Sequence, residues 1–272
     1  MPDKRPIGVF DSGLGGLTVV KEIMKVLPFE DIVYFGDTGR VPYGTRSNET
    51  IIKYARQDER FLLSKDVKLI VAACGTVSSV ASFTKNELPV PFVEVISNSV
   101  REALKGTKNK KIGILATAAT INSGAHKKQI LEVCPDALVI EQSGTLLVTL
   151  VEEGFVSPDD TAVTDILRRY LAPMIEQEVD TIILGCTHFP ILADAIKKVM
   201  GENINLVNMG SSAAFAIKEL LKNTDSLSGK EESGSCKFYV SDRTQTFKKT
   251  VSVLLDRQID DRYVEQVDIN DI

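Results

Sequence analysis

Nine short runs rich in Val, Ile and Leu punctuate the chain, at Ile7–Phe10, Ile32–Phe35, Leu69–Ala73, Phe92–Ile96, Ile112–Leu115, Leu138–Ile140, Ile182–Leu184, Asn205–Val207 and Phe238–Val240. Between them, apolar residues recur at helical spacing over Leu17–Val26, Asn48–Ser64, Val77–Asn86, Ala125–Val133, Pro158–Glu178, Pro190–Met200 and Ser211–Leu221. A strand that is apolar on both faces must be covered on both, and crossover helices supply that cover. The alternation predicts an α/β fold of mainly parallel sheets. The features also repeat at long range. The run ending at Asp11-Ser12 leads to Cys74, 63 residues beyond Asp11, and the run ending at Ala116-Thr117 leads to Cys186, 69 residues beyond Thr117. This spacing predicts two similar lobes, residues 1–97 plus 210–272 and residues 98–209, with the ligand cleft between them. The Ser-, Gly- and Glu-rich stretch Asn223–Ser235 reads as a mobile surface loop.

The chain's 272 residues are enough for two cores, and 43% hydrophobic with 25% charged content describes a globular protein. A net charge of −5, no Trp and no basic cluster argue against a nucleic-acid surface, leaving small molecules as the expected ligands. No apolar run reaches the roughly 18 residues of a membrane span. The N-terminus enters the first strand without a signal-peptide core, so a cytoplasmic protein is expected. Four cysteines without a C-x-x-C pair argue against a disulfide framework and a structural metal site; free thiols are expected.

Two of those cysteines stand in matched settings, Ala73-Cys74-Gly75-Thr76 and Gly185-Cys186-Thr187-His188, each just past a buried strand. Such positions face the crevice of an α/β sheet, so one thiol from each lobe can address opposite faces of one ligand. His188 is placed to exchange a proton with Cys186 and to favour its thiolate. Asp11-Ser12-Gly13-Leu14-Gly15-Gly16-Leu17-Thr18 joins a strand to a helix. It reads as an anion-accommodating turn, as a plain tight turn capped by Ser12, or as a dinucleotide fingerprint with Thr18 at the third glycine and Asp37 as the ribose acid. Pro42-Tyr43-Gly44 suits gripping a small carboxylate. Thr117, Thr120 and Ser123 form a hydroxyl-rich turn that either binds ligand or caps a helix. His126 falls within an amphipathic helix and reads as a surface or packing residue.

In combination these motifs resemble the cofactor-independent glutamate racemases of the aspartate/glutamate racemase superfamily, over nearly the whole length. The residues that carry the likeness are Asp11 to Thr18, Asp37-Thr38 with Pro42-Tyr43-Gly44, Ala73-Cys74-x-Thr76, Thr117-x-x-Thr120-x-x-Ser123, Glu152-x-Gly154 and Gly185 to Pro190. The resemblance implies two flavodoxin-like lobes, no cofactor, and Cys74 and Cys186 as acid and base on opposite faces of glutamate. Asp11 and Glu152 would assist Cys74 and the substrate ammonium, and His188 would assist Cys186. Ser12, Pro42, Tyr43, Gly44, Gly75, Thr76, Thr117, Thr120 and Thr187 would bind substrate. D-Glutamate for peptidoglycan and a homodimer are further implications. Departures from the family pattern are Gly75 for Asn, Asn208 for Asp, His126 for Tyr, Ser97-Asn98 for Glu-Pro and Gly144-Thr145 for Cys-Pro. The amide missing at Gly75 predicts weakened turnover that Gly75→Asn restores. Other readings of the same chain are a racemase for aspartate or another acidic amino acid, an amino-acid-binding protein that has lost turnover, and a nucleotide-dependent oxidoreductase.

Overall fold

The computed structural model, which describes residues 2–243, 247–256 and 261–269, holds two parallel sheets. The chain first runs β1 (Ile7–Asp11), α1 (Leu17–Val26), β2 (Ile32–Gly36), α2 (Asn48–Ser64), β3 (Leu69–Ala72), α3 (Gly75–Val80), β4 (Phe92–Glu94) and α4 (Val95–Gly106). It continues through β5 (Lys111–Ala116), α5 (Ala118–Ser123), α6 (Ala125–Val133), β6 (Leu138–Ser143), α7 (Thr145–Glu153), α8 (Thr161–Glu176), β7 (Thr181–Gly185), α9 (Ala193–Met200) and β8 (Asn205–Asn208). It ends with α10 (Met209–Asn223), β9 (Cys236–Val240), α11 (Phe247–Leu255) and β10 (Val264–Gln266). The larger sheet has the order β10-β9-β2-β1-β3-β4 and the smaller β6-β5-β7-β8. The parallel sheets are those the alternation predicts, and they form the two flavodoxin-like lobes that the resemblance implies. No helix among the described residues is long and apolar enough to cross a membrane.

The β-branched runs are fully buried, Val9 and Val71 in one sheet and Ile114 and Ile183 in the other. Each such side chain contributes roughly 1.5–3 kcal/mol through its removal from water. One apolar core joins both sheets through Val100 and Ala103 of α4 and Ala213, Ala214 and Ile217 of α10. A second core fills the other face of the larger sheet, around Phe10, Phe35 and Phe61.

Register sets the site. Phe10 pairs with Ala72, which puts Asp11 beside Ala73 and one residue from Cys74. Ala116 pairs with Gly185, so Thr117 and Cys186 leave their strands side by side.

Several boundaries differ from expectation. The run Phe92–Ile96 splits after Glu94, because the Glu94 carboxylate accepts from the Ile96 and Ser97 amides at 2.5 and 2.9 Å and starts α4 there. The stretch Val77–Asn86 resolves into α3 and a 3₁₀ segment, Ser82–Glu87. Loop 223–235 is anchored: Lys68 pairs with Glu30 at 2.6 Å and donates to the Ser226 carbonyl, the Ser228 amide donates to Glu30, and Lys230 pairs with Asp31. Composition signals a loop but not the partners that hold it.

Candidate active site

The carboxyl edges of the two sheets enclose a cavity of about 320 Å³. The first lobe lines it with Asp11, Ser12, Pro42, Tyr43, Gly44, Cys74, Gly75 and Thr76, and the second with Thr117, Glu152, Cys186, Thr187 and His188. Thr120 stands behind this lining, 1% exposed, its hydroxyl 3.0 Å from that of Thr117. Thr117 also meets the Thr76 hydroxyl at 3.1 Å across the lobes.

Both thiols are buried, and their surroundings differ. Cys74 sits in extended backbone between β3 and α3 and donates to the Ser12 hydroxyl at 3.4 Å. Burial, with the nearby Asp11 carboxylate adding to it, pushes this thiol up to about 12. Cys186 Sγ lies 3.8 Å from His188 Nδ1, and His188 Nε2 lies 3.2 Å from Glu152 Oε1. Burial alone would lower the His188 pKa, but hydrogen bonds to Cys186 and Glu152 outweigh it and raise it to about 10. One thiol therefore sits beside a hydroxyl and the other beside an imidazole placed to exchange a proton with it, a contrast suited to acid–base work on two faces.

Glu152 belongs to the Cys186 side, through His188, which corrects its expected partnership with Cys74. Asp11 is buried. Its Oδ2 accepts from the Gly13 amide at 3.1 Å, and its Oδ1 has no partner among the described residues. Burial raises its pKa against the opposing charge of His188. A cation placed against Oδ1 would satisfy an oxygen that is otherwise costly to bury.

The glycine turn seals one wall. A side chain on Gly15 would collide with Thr187 and His188, and Thr18 Oγ1 donates to the Thr187 carbonyl at 2.8 Å, tying the lobes together. Tyr34 supports the turn by donating to the Gly13 carbonyl at 2.8 Å. The N-cap of α1 is Gly16, so Ser12 is free of that duty. The surface a pyrophosphate would approach is covered by Thr187 and His188, and Asp37 is wholly buried. The dinucleotide reading fails on both counts.

Two further expectations change, at Tyr43 and Gly75. The Tyr43 hydroxyl turns away from the cavity to Asp37 and Asp58, so the phenol is not a ligand group. At Gly75, a built Cβ would lie 2.7 Å from the Gly185 carbonyl oxygen of the other lobe; the space expected for an asparagine amide is filled. Asn208 caps α10, its Oδ1 accepting from the Gly210 and Ser211 amides at 2.9 and 3.4 Å. His126 is a packing residue, 1% exposed and pushed down to about 4 by burial. Val148 and Thr149 also line the cavity and were not expected. With Thr145 and Glu152 they share one face of α7, and the spacing 145, 148, 149, 152 is the sequence signal for it.

Paired thiols across the cleft of a two-lobed α/β protein, one beside the Ser12 hydroxyl and the other beside His188, form an arrangement able to move protons on opposite faces of one ligand. The sequence profile of the Asp/Glu/hydantoin racemases matches residues 25–216. The chain is 42% identical over 259 residues to a glutamate racemase of Syntrophus aciditrophicus (strain SB), covering 95% of each, and 43% identical over 247 residues to one of Neisseria meningitidis, covering 90% of each. Its structure is similar to that of glutamate racemase from Francisella tularensis in complex with D-glutamate, with a TM-score of 0.91, 36% identity, and coverage of 99% of this chain and 100% of that one. The chain belongs to the Asp/Glu/hydantoin racemase family and is an amino-acid racemase.

Proposed function

We propose that this protein interconverts L- and D-glutamate in the cytoplasm without a cofactor, supplying D-glutamate for peptidoglycan. The observation that carries the reading is the placement of Cys74 and Cys186 in one cavity from opposite lobes, in contrasting proton environments. In one direction the Cys186 thiolate takes the α-proton, and the Cα–H electron pair moves into the substrate carboxylate as an enediolate. The Cys74 thiol then protonates the opposite face. In the other direction the cysteines exchange roles. Asp11 Oδ1 receives the substrate ammonium, and His188, held by Glu152, exchanges a proton with Cys186. Thr76 and Thr117, braced by Thr120, meet the carboxylate whose charge grows in the transition state, together with Ser12, Gly44 and Thr187. Exclusion of water from the closed cleft strengthens each of these contacts. The lobe division at 1–97 plus 210–272 and 98–209 is part of this reading; every strand of the larger sheet falls in the first set and every strand of the smaller in the second.

The test is α-proton exchange of L- and D-glutamate in D₂O, followed by NMR, for the wild type and for Cys74→Ser and Cys186→Ser, with aspartate as comparator. Exchange from both glutamate enantiomers, with racemisation lost in each variant, is the expected result. Binding of glutamate without exchange overturns the racemase reading of the site, and faster exchange of aspartate overturns the choice of substrate.

A further inference from the structure

Behind the cavity lies a buried polar cluster that the proton transfers leave unused. Helix α2 buries Ile51, Ala55, Phe61 and Leu62 together with two carboxylates, of which Glu59 accepts from the Thr84 hydroxyl and Asp58 turns toward the cavity loop. Asp58 is 0% exposed. A carboxyl group so buried is unfavourable unless it is well partnered. Its partners all lead to the loop from Asp37 to Thr45. Arg40 donates from Nε to Asp37 at 2.5 Å, from Nη2 to Asp58 at 3.0 Å and from Nη1 to Gln57 at 2.5 Å. The guanidinium also stacks 4.0 Å above the Tyr54 ring, which packs against Tyr43. The Tyr43 hydroxyl bonds to both Asp37 and Asp58, and Ser241 donates to the other Asp37 oxygen at 2.7 Å. On its opposite side this loop lines the cavity with Pro42, Gly44 and Thr45.

We propose that Asp58 is a positioning residue for substrate binding: by holding Arg40 and the Tyr43 hydroxyl it fixes the Pro42-Tyr43-Gly44 loop against the cavity. The loop touches the ligand; Asp58 acts through the loop. Gly44 offers only backbone to the cavity, so the grip depends on where the main chain is held. The main chain in turn is held by a side chain outside every motif quoted from the sequence. Burial and the neighbouring Asp37 raise the Asp58 pKa well above the usual carboxylate range, against the Arg40 guanidinium 3.0 Å away. An amide, which matches the carboxyl group in shape and keeps an oxygen for Arg40, is the closest replacement.

The inference rests on glutamate as substrate, and a binding measurement separates the two. The Kd for D-glutamate is measured by calorimetry, alongside KM and kcat, for the wild type, Asp58→Leu, Asp58→Asn, Tyr43→Phe and Glu30→Gln. Asp58→Leu is expected to raise Kd and KM by about tenfold with kcat changed by less than about threefold, because a loosened loop weakens ground and transition states alike. Asp58→Asn is expected to bring Kd back to within about threefold of the wild type. Glu30→Gln, which breaks the buried ion pair at the opposite edge of the sheet, is expected to lower the melting temperature and leave Kd unmoved. A native circular dichroism spectrum with Kd unchanged in Asp58→Leu overturns the proposal, as does an equal rise in Kd for Glu30→Gln. If Asp58→Leu does not fold, Tyr43→Phe decides by the same criterion, since it removes a single oxygen from the cluster. Binding without turnover by the wild type overturns the racemase reading alone and leaves the Kd series decisive. No binding of D-glutamate by the wild type overturns both.

Discussion

Gly75→Ala isolates a conflict at the centre of the cleft. The site gains a methyl group and no new hydrogen bond, and that methyl carbon would stand 2.7 Å from the Gly185 carbonyl oxygen, where ordinary contact begins at 3.4 Å. The shortfall of about 0.7 Å must come from backbone, because Gly185 ends β7, hydrogen-bonded in the sheet, and has no flexible side chain to yield. Since Cys74 precedes Gly75 and Cys186 follows Gly185, the two reacting sulfurs move apart with it. A displacement near 1 Å at reacting groups costs about 100-fold, so Gly75→Ala is expected to lower kcat/KM by about 10- to 100-fold. Gly75→Asn carries the same steric cost. Its amide returns a hydrogen bond to a charged group worth roughly 1.5–3 kcal/mol, a gain of the same size as the steric loss, which places it above Gly75→Ala and near the wild type. The assay is racemisation followed polarimetrically from each enantiomer. The enantiomers have equal free energy in water, so kcat/KM must change equally in both directions, an internal check on the data. An alanine variant within about twofold of the wild type refutes the steric reasoning and restores the simpler expectation that asparagine improves the enzyme.

Four other outcomes follow from the structure. Thr18→Val removes the hydrogen bond to the Thr187 carbonyl and leaves that buried oxygen unpaired, which is expected to lower stability by about 1–3 kcal/mol in urea titration. Glu152→Gln takes away one of the two partners that raise His188; the basic limb of the kcat/KM profile, which for the wild type lies near the His188 value of about 10, is expected to move to lower pH. The sign for stability is the same: with His188 raised above its unfolded value, its contribution is complete below pH 6.5 and is lost as pH rises through about 10, measurable as a falling melting temperature over that window. Lys68→Met strands the buried Glu30 carboxylate and removes the donor to the Ser226 carbonyl, and is expected to cost about 3–5 kcal/mol in the same titration without changing KM.

Strands were the most legible part of the fold, because two-sided burial demands continuous apolar runs and little else in the chain has them. The sequence patterns show no helix at α4, α5, α7 or α11. Helix α5 is only 6 residues long and set by Thr117 as its cap, and α7, Thr145–Glu153, is so apolar that it shows weak periodicity. At the site, the residues that end strands were readable from position alone, since register carries Asp11 toward Cys74 and Thr117 toward Cys186. What could not be read was orientation. Nothing in Pro42-Tyr43-Gly44 tells that the phenol points inward, because that depends on Asp58 fifteen residues later on another element. Likewise Glu152 could be expected near a thiol, but which one depends on how α7 faces His188. The filled space at Gly75 depends on the approach of two lobes, a distance that no local pattern encodes.

The apolar core that passes through α4 and α10 makes the two lobes a single melting unit. Heating should release both sheets in one transition, and a ligand bound in the cleft raises the midpoint for all of the protein and not just for the residues it touches. A chain cut between residues 97 and 98 would divide α4 and leave β9 and β10 on the piece that lacks the rest of their sheet, so the two pieces have reason to aggregate when made apart and to fold when made together.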